Sequence, residues 1–205
     1  MSEKRLADLE PKAVFGYFEE ICSIPHGSRN TKAISDFLAA FAKEQGIRYI
    51  QDASNNIIMF TEGTCGMENH SPVILQGHMD MVCEKDASCT IDMQKEGLDV
   101  CHDGTSVYAR GTTLGGDDGI AVAYAMALIA DHSIPHPPLE IIITVDEEIG
   151  MLGANAIDVS MLQGRKMINL DSEEEGIFTV SCAGGARATI SLKVNRKMVY
   201  GHCIR

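Results

Sequence analysis

His78 stands two residues before Asp80, at the end of the apolar run PVILQG at positions 72–77, and three acidic groups follow it: Asp117-Asp118, Glu147-Glu148 and Asp171. One imidazole nitrogen and several carboxylate oxygens make a donor set for hard divalent cations, and carboxylate-rich sites tolerate manganese or cobalt as well as zinc. Two such ions held ~3.5–4 Å apart need a bridging carboxylate, terminal ligands and a base to take a proton from water. Neighbouring residues such as Glu147 and Glu148 cannot both point the same way, so that pair suits two jobs, one ligating and one facing substrate. Asp80 could accept the second ring N–H of His78 and fix its tautomer. A lone histidine at a strand end is more often structural. Its coincidence with three acid groups turns the reading to metal.

These residues lie far apart in sequence, so the elements between them must bring them together. Residues 11–24 carry Val14, Phe15, Phe18, Ile21 and Cys22 at helical spacing until Pro25 and Gly27 end the pattern. Thr31 is placed to cap a second helix with the face Ile34, Phe37, Leu38 and Phe41, stopped near Gly46. Residues 47–51 and 57–61 read as short strands around the turn DASNN, and 73–76 as a buried strand apolar on both faces. A polar excursion fills 83–103, and 106–110 reads as a hairpin strand entering a Gly-rich turn. Residues 119–130 are apolar all round and predict a buried helix. Beyond the prolines at 135, 137 and 138, 139–145 predicts a second buried strand, 154–162 a short helix and 167–170 a third buried strand. Residues 176–182 and 188–194 read as further strands, the latter alternating Ala188, Ile190, Leu192 and Val194 against polar neighbours.

The strand–helix–strand rhythm predicts an α/β fold, a largely parallel or mixed sheet flanked by helices. Ligands of such sheets bind beyond the carboxyl ends of the strands. His78, Asp80, Glu147, Glu148 and Asp171 all fall just past predicted strands, and Asp117 opens the buried helix, where the helix dipole favours a carboxylate.

Bulk properties narrow the function classes. A net charge of −12 argues against nucleic acid or an anionic membrane surface as partner, since both select basic patches. No stretch approaches the ~18 apolar residues of a membrane span, and residues 1–10 lack the apolar core of a signal peptide, so a cytoplasmic location is expected. The seven cysteines contain no C-x-x-C pair and read as reduced thiols rather than a disulfide framework or a thiolate zinc site. The turn at 111–119 lacks the G-K-[ST] ending of a phosphate loop. Glu173-Glu174-Glu175 reads as a solvated run, Asp118 and Asp146 as plain polar positions, and His70, His102, His132 and His136 as loop residues.

Four runs together resemble the M20 metallopeptidases, and within them the aminoacyl-histidine dipeptidase branch: LQGHMDMV at 75–82, RGTTLGGDDGI at 110–120, TVDEEIGM at 144–151 and INLDSEEEG at 168–176. ICSIPH at 21–26 and SCAGG at 181–185 fit the same branch. The resemblance covers roughly residues 12–186 and implies a zinc-peptidase-like catalytic domain. It implies that His78, Asp117 and Asp171 hold one zinc, that Asp117 bridges to a second also bound by Glu148, that Asp80 orients His78, and that Glu147 is the general base. The implied substrates are dipeptides ending in histidine, β-alanyl-histidine among them. His26 is either a substrate-lining residue by resemblance or simply a turn residue after Pro25.

Two departures from the branch stand out. Asp118 occupies a position where asparagine is common. The family also inserts a lid and dimerisation domain, through which full-length relatives are expected to dimerise, and then returns to supply a second zinc-ligating histidine. Residues 1–185 are expected to be the N-terminal portion of the catalytic domain, and 186–205 a truncated start of the lid or a non-native tail with the lid mostly absent; His202 is a poor substitute for the missing ligand. Three readings follow: a zinc dipeptidase or its catalytic portion, a metal-binding fragment without full catalysis, and an aminoacylase or carboxypeptidase of the same superfamily.

Overall fold

Apolar side chains recurring every three or four residues give α1 (Lys12–Cys22) and α2 (Lys32–Glu44), which bury those stripes: Val14, Phe18, Ile21 and Cys22 in the first, Ile34, Leu38, Phe41 and Ala42 in the second. Thr31 does occupy the N-cap position of α2, but its side chain makes no capping bond. Its backbone is already helical at φ −94°, ψ −4°, whereas a capping side chain needs extended backbone to reach the first free N–H groups. The structure, a computed structural model, describes residues 5–172, 174–181, 184 and 188–194. The chain divides into two compact units, residues 1–173 and 174–205.

In the first unit, β1 (Arg48–Gln51), β2 (Ile57–Thr61), β3 (Val73–His78), β6 (Leu139–Thr144) and β7 (Lys166–Asn169) form one sheet in the order β1-β2-β6-β3-β7. β1 with β2 and β2 with β6 are antiparallel, while β3 runs parallel to both β6 and β7. The sheet is therefore mixed, and the parallel part is the part that ends in His78, the Glu147 loop and Asp171. A separate hairpin joins β4 (Val100–His102) to β5 (Val107–Ala109).

Side chains alternate across the sheet with a period of two. Ile57, Met59, Leu75, Ile141 and Ile143 face the main core with α1, α2 and α3 (Gly116–Ala130). Ile58, Ile74 and Ile142 face the opposite way, under Ile157, Met161 and Leu162. α3 is buried from Ala121 to Ile129 except at Tyr124, which is exposed, and Leu128, which is half-buried, so most of its apolar surround is covered. Close approach of α1 to α3 rests on Gly119, where an added Cβ would come within 3.2 Å of the Phe18 ring.

Three expectations need correction. The strand at 167–170 is β7, but it is exposed rather than buried, because it forms the edge of the sheet with β3 on one side only. The helix expected at 154–162 is α4 (Leu152–Ala156), shifted toward the amino end. Ile157 turns to extended backbone, and the Asp158 carboxylate then takes the Ser160 N–H, a local turn that competes with helix. In the second unit, the described residues of 176–182 and 188–194 form no strand; alternation alone has no ladder to join, and Ile177 instead closes a turn onto the Glu174 carbonyl. Cys182 lies outside the described residues. Cys22, Cys65, Cys83, Cys89 and Cys101 are free thiols.

Glu140 sits on the smaller face of β6, only 5% exposed, and accepts the Gln163 and Gly164 N–H groups at 2.8 and 2.9 Å. It fastens the cover of that face to the sheet. Replacing Glu140 with alanine leaves both donors without their partner, at a cost of about 1–3 kcal/mol for each one that water cannot reach. The expected result is a urea midpoint lowered by an amount equivalent to about 2–3 kcal/mol; an unchanged midpoint would show that the cover is held by its apolar contacts alone.

Candidate metal centre

The carboxyl ends of the three parallel strands supply the site. His78 is the last residue of β3, Asp80 lies two residues beyond it, Glu147 and Glu148 lie in the loop after β6, and Asp171 lies two residues after β7. Asp117 and Asp118 come from the amino end of α3, where both depart from helical φ/ψ before the regular helix starts. The peptide bond between them is cis.

His78 is 1% exposed and is the hub. Its Nδ1 lies 2.9 Å from the Asp80 main-chain carbonyl, which can only accept, so Nδ1 carries a hydrogen and Nε2 faces the acids. The Asp80 carboxylate is 3.5 Å from the same nitrogen. Asp80 thus holds the ring chiefly through its backbone, a difference from the side-chain contact expected from sequence. Nε2 is 3.0 Å from Asp117 Oδ1 and 3.9 Å from Glu147 Oε2. Two donor groups lie within 4.8 Å: His78 with Asp117 and Glu148, and His78 with Asp118 and Asp171. The four residues expected to ligate are therefore brought together, but they divide differently from the resemblance, which pairs Asp117 with Asp171.

Asp118, a plain polar position by sequence, is instead buried, and its Oδ2 accepts the His78 backbone N–H at 3.1 Å. Space for it comes from Gly77, where a Cβ would stand 2.6 Å from that oxygen. Its burial could have been inferred from its place opening an apolar helix; its hydrogen bond could not. The Glu147 loop is held from outside. Asn56 accepts the Val145 N–H at 3.1 Å and donates to the Gly153 carbonyl at 3.1 Å, and Asp80 Oδ1 accepts the Glu147 N–H at 3.0 Å. Nothing in the spacing of Asn56 marks it for this role. His26 is buried, with Nδ1 2.6 Å from the Ile24 carbonyl, and burial pushes its pKa down.

Among the described residues, none of Asp80, Asp117, Asp118, Glu147 and Glu148 pairs with a lysine or arginine. The electrostatics register that imbalance. Burial raises Asp118 to about 7, with Asp171 and Asp117 adding to the rise and His78 opposing it. Burial also raises Glu147 and Glu148, reinforced by neighbouring acids and relieved in part by His78. For His78, burial disfavours the charge, but Asp80, Asp118 and Asp117 outweigh it and lift the imidazole to about 9. A cluster that raises Asp118, Glu147 and Glu148 and traps a proton on its one imidazole is a cluster short of positive charge. A divalent cation would supply it, and the nitrogen and oxygen donors suit zinc, manganese or cobalt.

Residues 74–195 match peptidase family M20/M25/M40. The chain is 42% identical over 199 residues to the cytosol non-specific dipeptidase of Escherichia coli K12, an alignment covering 97% of this chain and 41% of that protein. Peptidase T of Vibrio cholerae is 33% identical over 133 residues, 62% of this chain and 32% of that one. Among solved structures, an aminoacylhistidine dipeptidase from Vibrio alginolyticus superposes with a TM-score of 0.80 at 39% identity, covering 85% of this chain and 35% of the other. The aminopeptidase PepT of Bacillus cereus shares the fold, with a TM-score of 0.66 at 22% identity. The chain spans about two fifths of the length of the E. coli dipeptidase, 41%.

Metal must displace the proton on His78 to reach Nε2. With that imidazole near 9, zinc binding at pH 7 is expected to release close to one proton from this ring. Apparent affinity should rise by about tenfold per pH unit and level off above pH 9. Calorimetry in two buffers of different ionisation enthalpy reads the proton count directly; no release at pH 7 would show that His78 is either neutral or not a ligand.

Proposed function

The chain belongs to peptidase family M20/M25/M40, and from that premise we propose that it carries the metal-binding and general-base residues of a zinc-dependent dipeptidase. The proposed substrates are dipeptides of the Xaa-His type, β-alanyl-histidine included, hydrolysed in the cytoplasm. The names of two relatives support this, one a cytosol non-specific dipeptidase and one an aminoacylhistidine dipeptidase. The observation that carries the reading is the meeting of His78 Nε2 with Asp117 Oδ1 at 3.0 Å and Glu147 Oε2 at 3.9 Å, beside Glu148 and Asp171.

His78, Asp117, Glu148 and Asp171 would hold the metal, with Asp118 available in the cluster that contains Asp171. When bound, zinc supplies Lewis acidity, polarising a peptide carbonyl and lowering the pKa of a water from 15.7 to about 7. The chain's own residues do the rest. Asp80 holds the imidazole through Nδ1 and so keeps Nε2 on the metal side. Glu147, about one third exposed at its side chain, accepts the proton of the attacking water at a carboxylate oxygen and later delivers it to the departing amine nitrogen. Its raised pKa suits both halves of that task, since a stronger base takes the proton more readily and its acid form still gives it back. Glu148 ligates while Glu147 shuttles, the division of labour that adjacent side chains allow.

A second reading, a metal-binding fold with impaired catalysis, is favoured by one observation. Both donor groups depend on the same histidine, His78, so one ion is expected to bind tightly and a second weakly. Elemental analysis after dialysis should give about one zinc per chain; two tightly held ions would overturn that expectation. With zinc and β-alanyl-histidine the chain is expected to release free histidine. Glu147→Ala should lower the rate by about 10²–10⁴-fold, the usual worth of a general base, while leaving metal affinity within a few-fold. Release that survives Glu147→Ala removes Glu147 from the mechanism. No release from the metal-loaded, unaltered chain favours the second reading.

A further inference from the structure

Residues 26–29, between α1 and α2, supply no atom to either donor group, yet they are bonded to two of the segments that carry the site's acids, the one after β3 and the loop after β6. On one side Gly27 pairs with Met81 as an isolated parallel bridge. There the Met81 N–H donates to the His26 carbonyl at 3.2 Å, and the Ser28 N–H to the Met81 carbonyl at 3.3 Å. On the other side the Arg29 N–H donates to Asp146 Oδ1 at 2.6 Å. Between these contacts the Ser28 hydroxyl donates to Asp80 Oδ2 at 2.7 Å, and the other oxygen of that carboxylate accepts the Glu147 N–H at 3.0 Å.

We infer that Ser28 is a positioning residue for Glu147, acting through the Asp80 carboxylate, in a brace made of residues 26–29. The inference rests on the reading of Glu147 as general base. A carboxylate turns about its Cβ–Cγ bond, and one donor on one oxygen does not fix its plane. Two donors on opposite oxygens do. Asp80 is 1% exposed, so water is poorly placed to replace the hydroxyl. With Ser28 in place, Oδ1 stays on the Glu147 amide, and Asp80 couples the ring of His78 to the backbone of the base. The Arg29–Asp146 bond completes the brace. Both residues are non-glycine and left-handed, at φ +67° and +54°, a conformation that persists only where the surroundings over-determine it. The brace thereby sets the distance between the end of β3 and the loop after β6 at the point where the base must face the metal ligands.

The test is amide hydrogen exchange on the full, metal-free chain, read by NMR at Glu147 and along β6. Ser28→Ala is expected to speed exchange of the Glu147 amide at least tenfold while leaving the β6 amides at their original rates, and Ser28→Thr, which keeps the hydroxyl, to restore protection. An unchanged Glu147 amide, or β6 amides accelerated by the same factor, overturns the brace. On the metal-loaded chain, Ser28→Ala should lower kcat for β-alanyl-histidine about tenfold with KM within twofold; a rise in KM at constant kcat would also overturn it. An unaltered chain that hydrolyses nothing defeats the catalytic reading of the site, whereas the exchange result judges the brace by itself.

Discussion

Uncompensated negative charge is the constraint on which this site depends. Asp80, Asp117, Asp118, Glu147, Glu148 and Asp171 surround one imidazole, and among the described residues no lysine or arginine pairs with the first five. Repulsion of that kind would spread the loops unless the fold held them. It does so by drawing each acid from the end of a rigid element. The parallel strands β6, β3 and β7 aim their carboxyl ends at a common region, and α3 brings the Asp117-Asp118 pair against β3 through the contact of Asp118 with the His78 amide. Gly77 is the steric condition for that contact, since any side chain there would meet the Asp118 carboxylate.

Holding the loops takes backbone hydrogen bonds rather than more charge. The loop after β6 carries Glu147 and Glu148 and contains left-handed residues at Asp146 and Met151. Asn56 grips Val145 at its start and Gly153 at its end, Asp80 grips the Glu147 amide, and the Arg29 amide grips Asp146. Each grip is a neutral donor or a carboxylate satisfied by N–H groups, so the loop is fixed without a cation that would compete with metal for the same acids. A lysine salt bridge could have steadied Glu147 equally well, but it would have lowered the proton affinity that the proposed role of Glu147 as a base needs.

Which parts of this were legible in the sequence follows from what kind of information each part requires. The sheet, its three parallel strands and the positions of His78, Asp117, Glu147 and Asp171 are written in apolar runs and in acids at their ends, a pattern local enough to read directly. The exposure of β7 was not, because a run such as Lys166–Asn169 looks alike at the edge and in the middle of a sheet, and only the strand order decides. The bounds of α4 are not local information either, because the Asp158 turn outcompetes propensity over so short a stretch. The supporting shell of Ser28, Asn56 and Asp118 was the least legible. A serine after a glycine and an asparagine in a turn are ordinary residues, and their meaning lies in partners that the chain reaches only after folding.

In the proposed metal site protons and metal compete for the same place, and for Asp118 and His78 this ties stability to pH in a definite direction. Asp118 and His78 both have folded-state pKa values above their usual ones, to about 7 and about 9. A raised value means that the folded state holds the proton more tightly than the unfolded chain does. The stability gained from that proton is fully present below the unfolded pKa and is lost as pH rises through the folded one. For Asp118 that window runs from 3.8 to about 7, and for His78 from 6.5 to about 9. The metal-free chain therefore loses its internal counter-charge continuously from mildly acid to alkaline pH, while a bound divalent ion restores it without requiring a proton. Metal and fold reinforce each other most where protons are scarcest, and the brace around Asp80 keeps the acids in register in the interval when neither is in place.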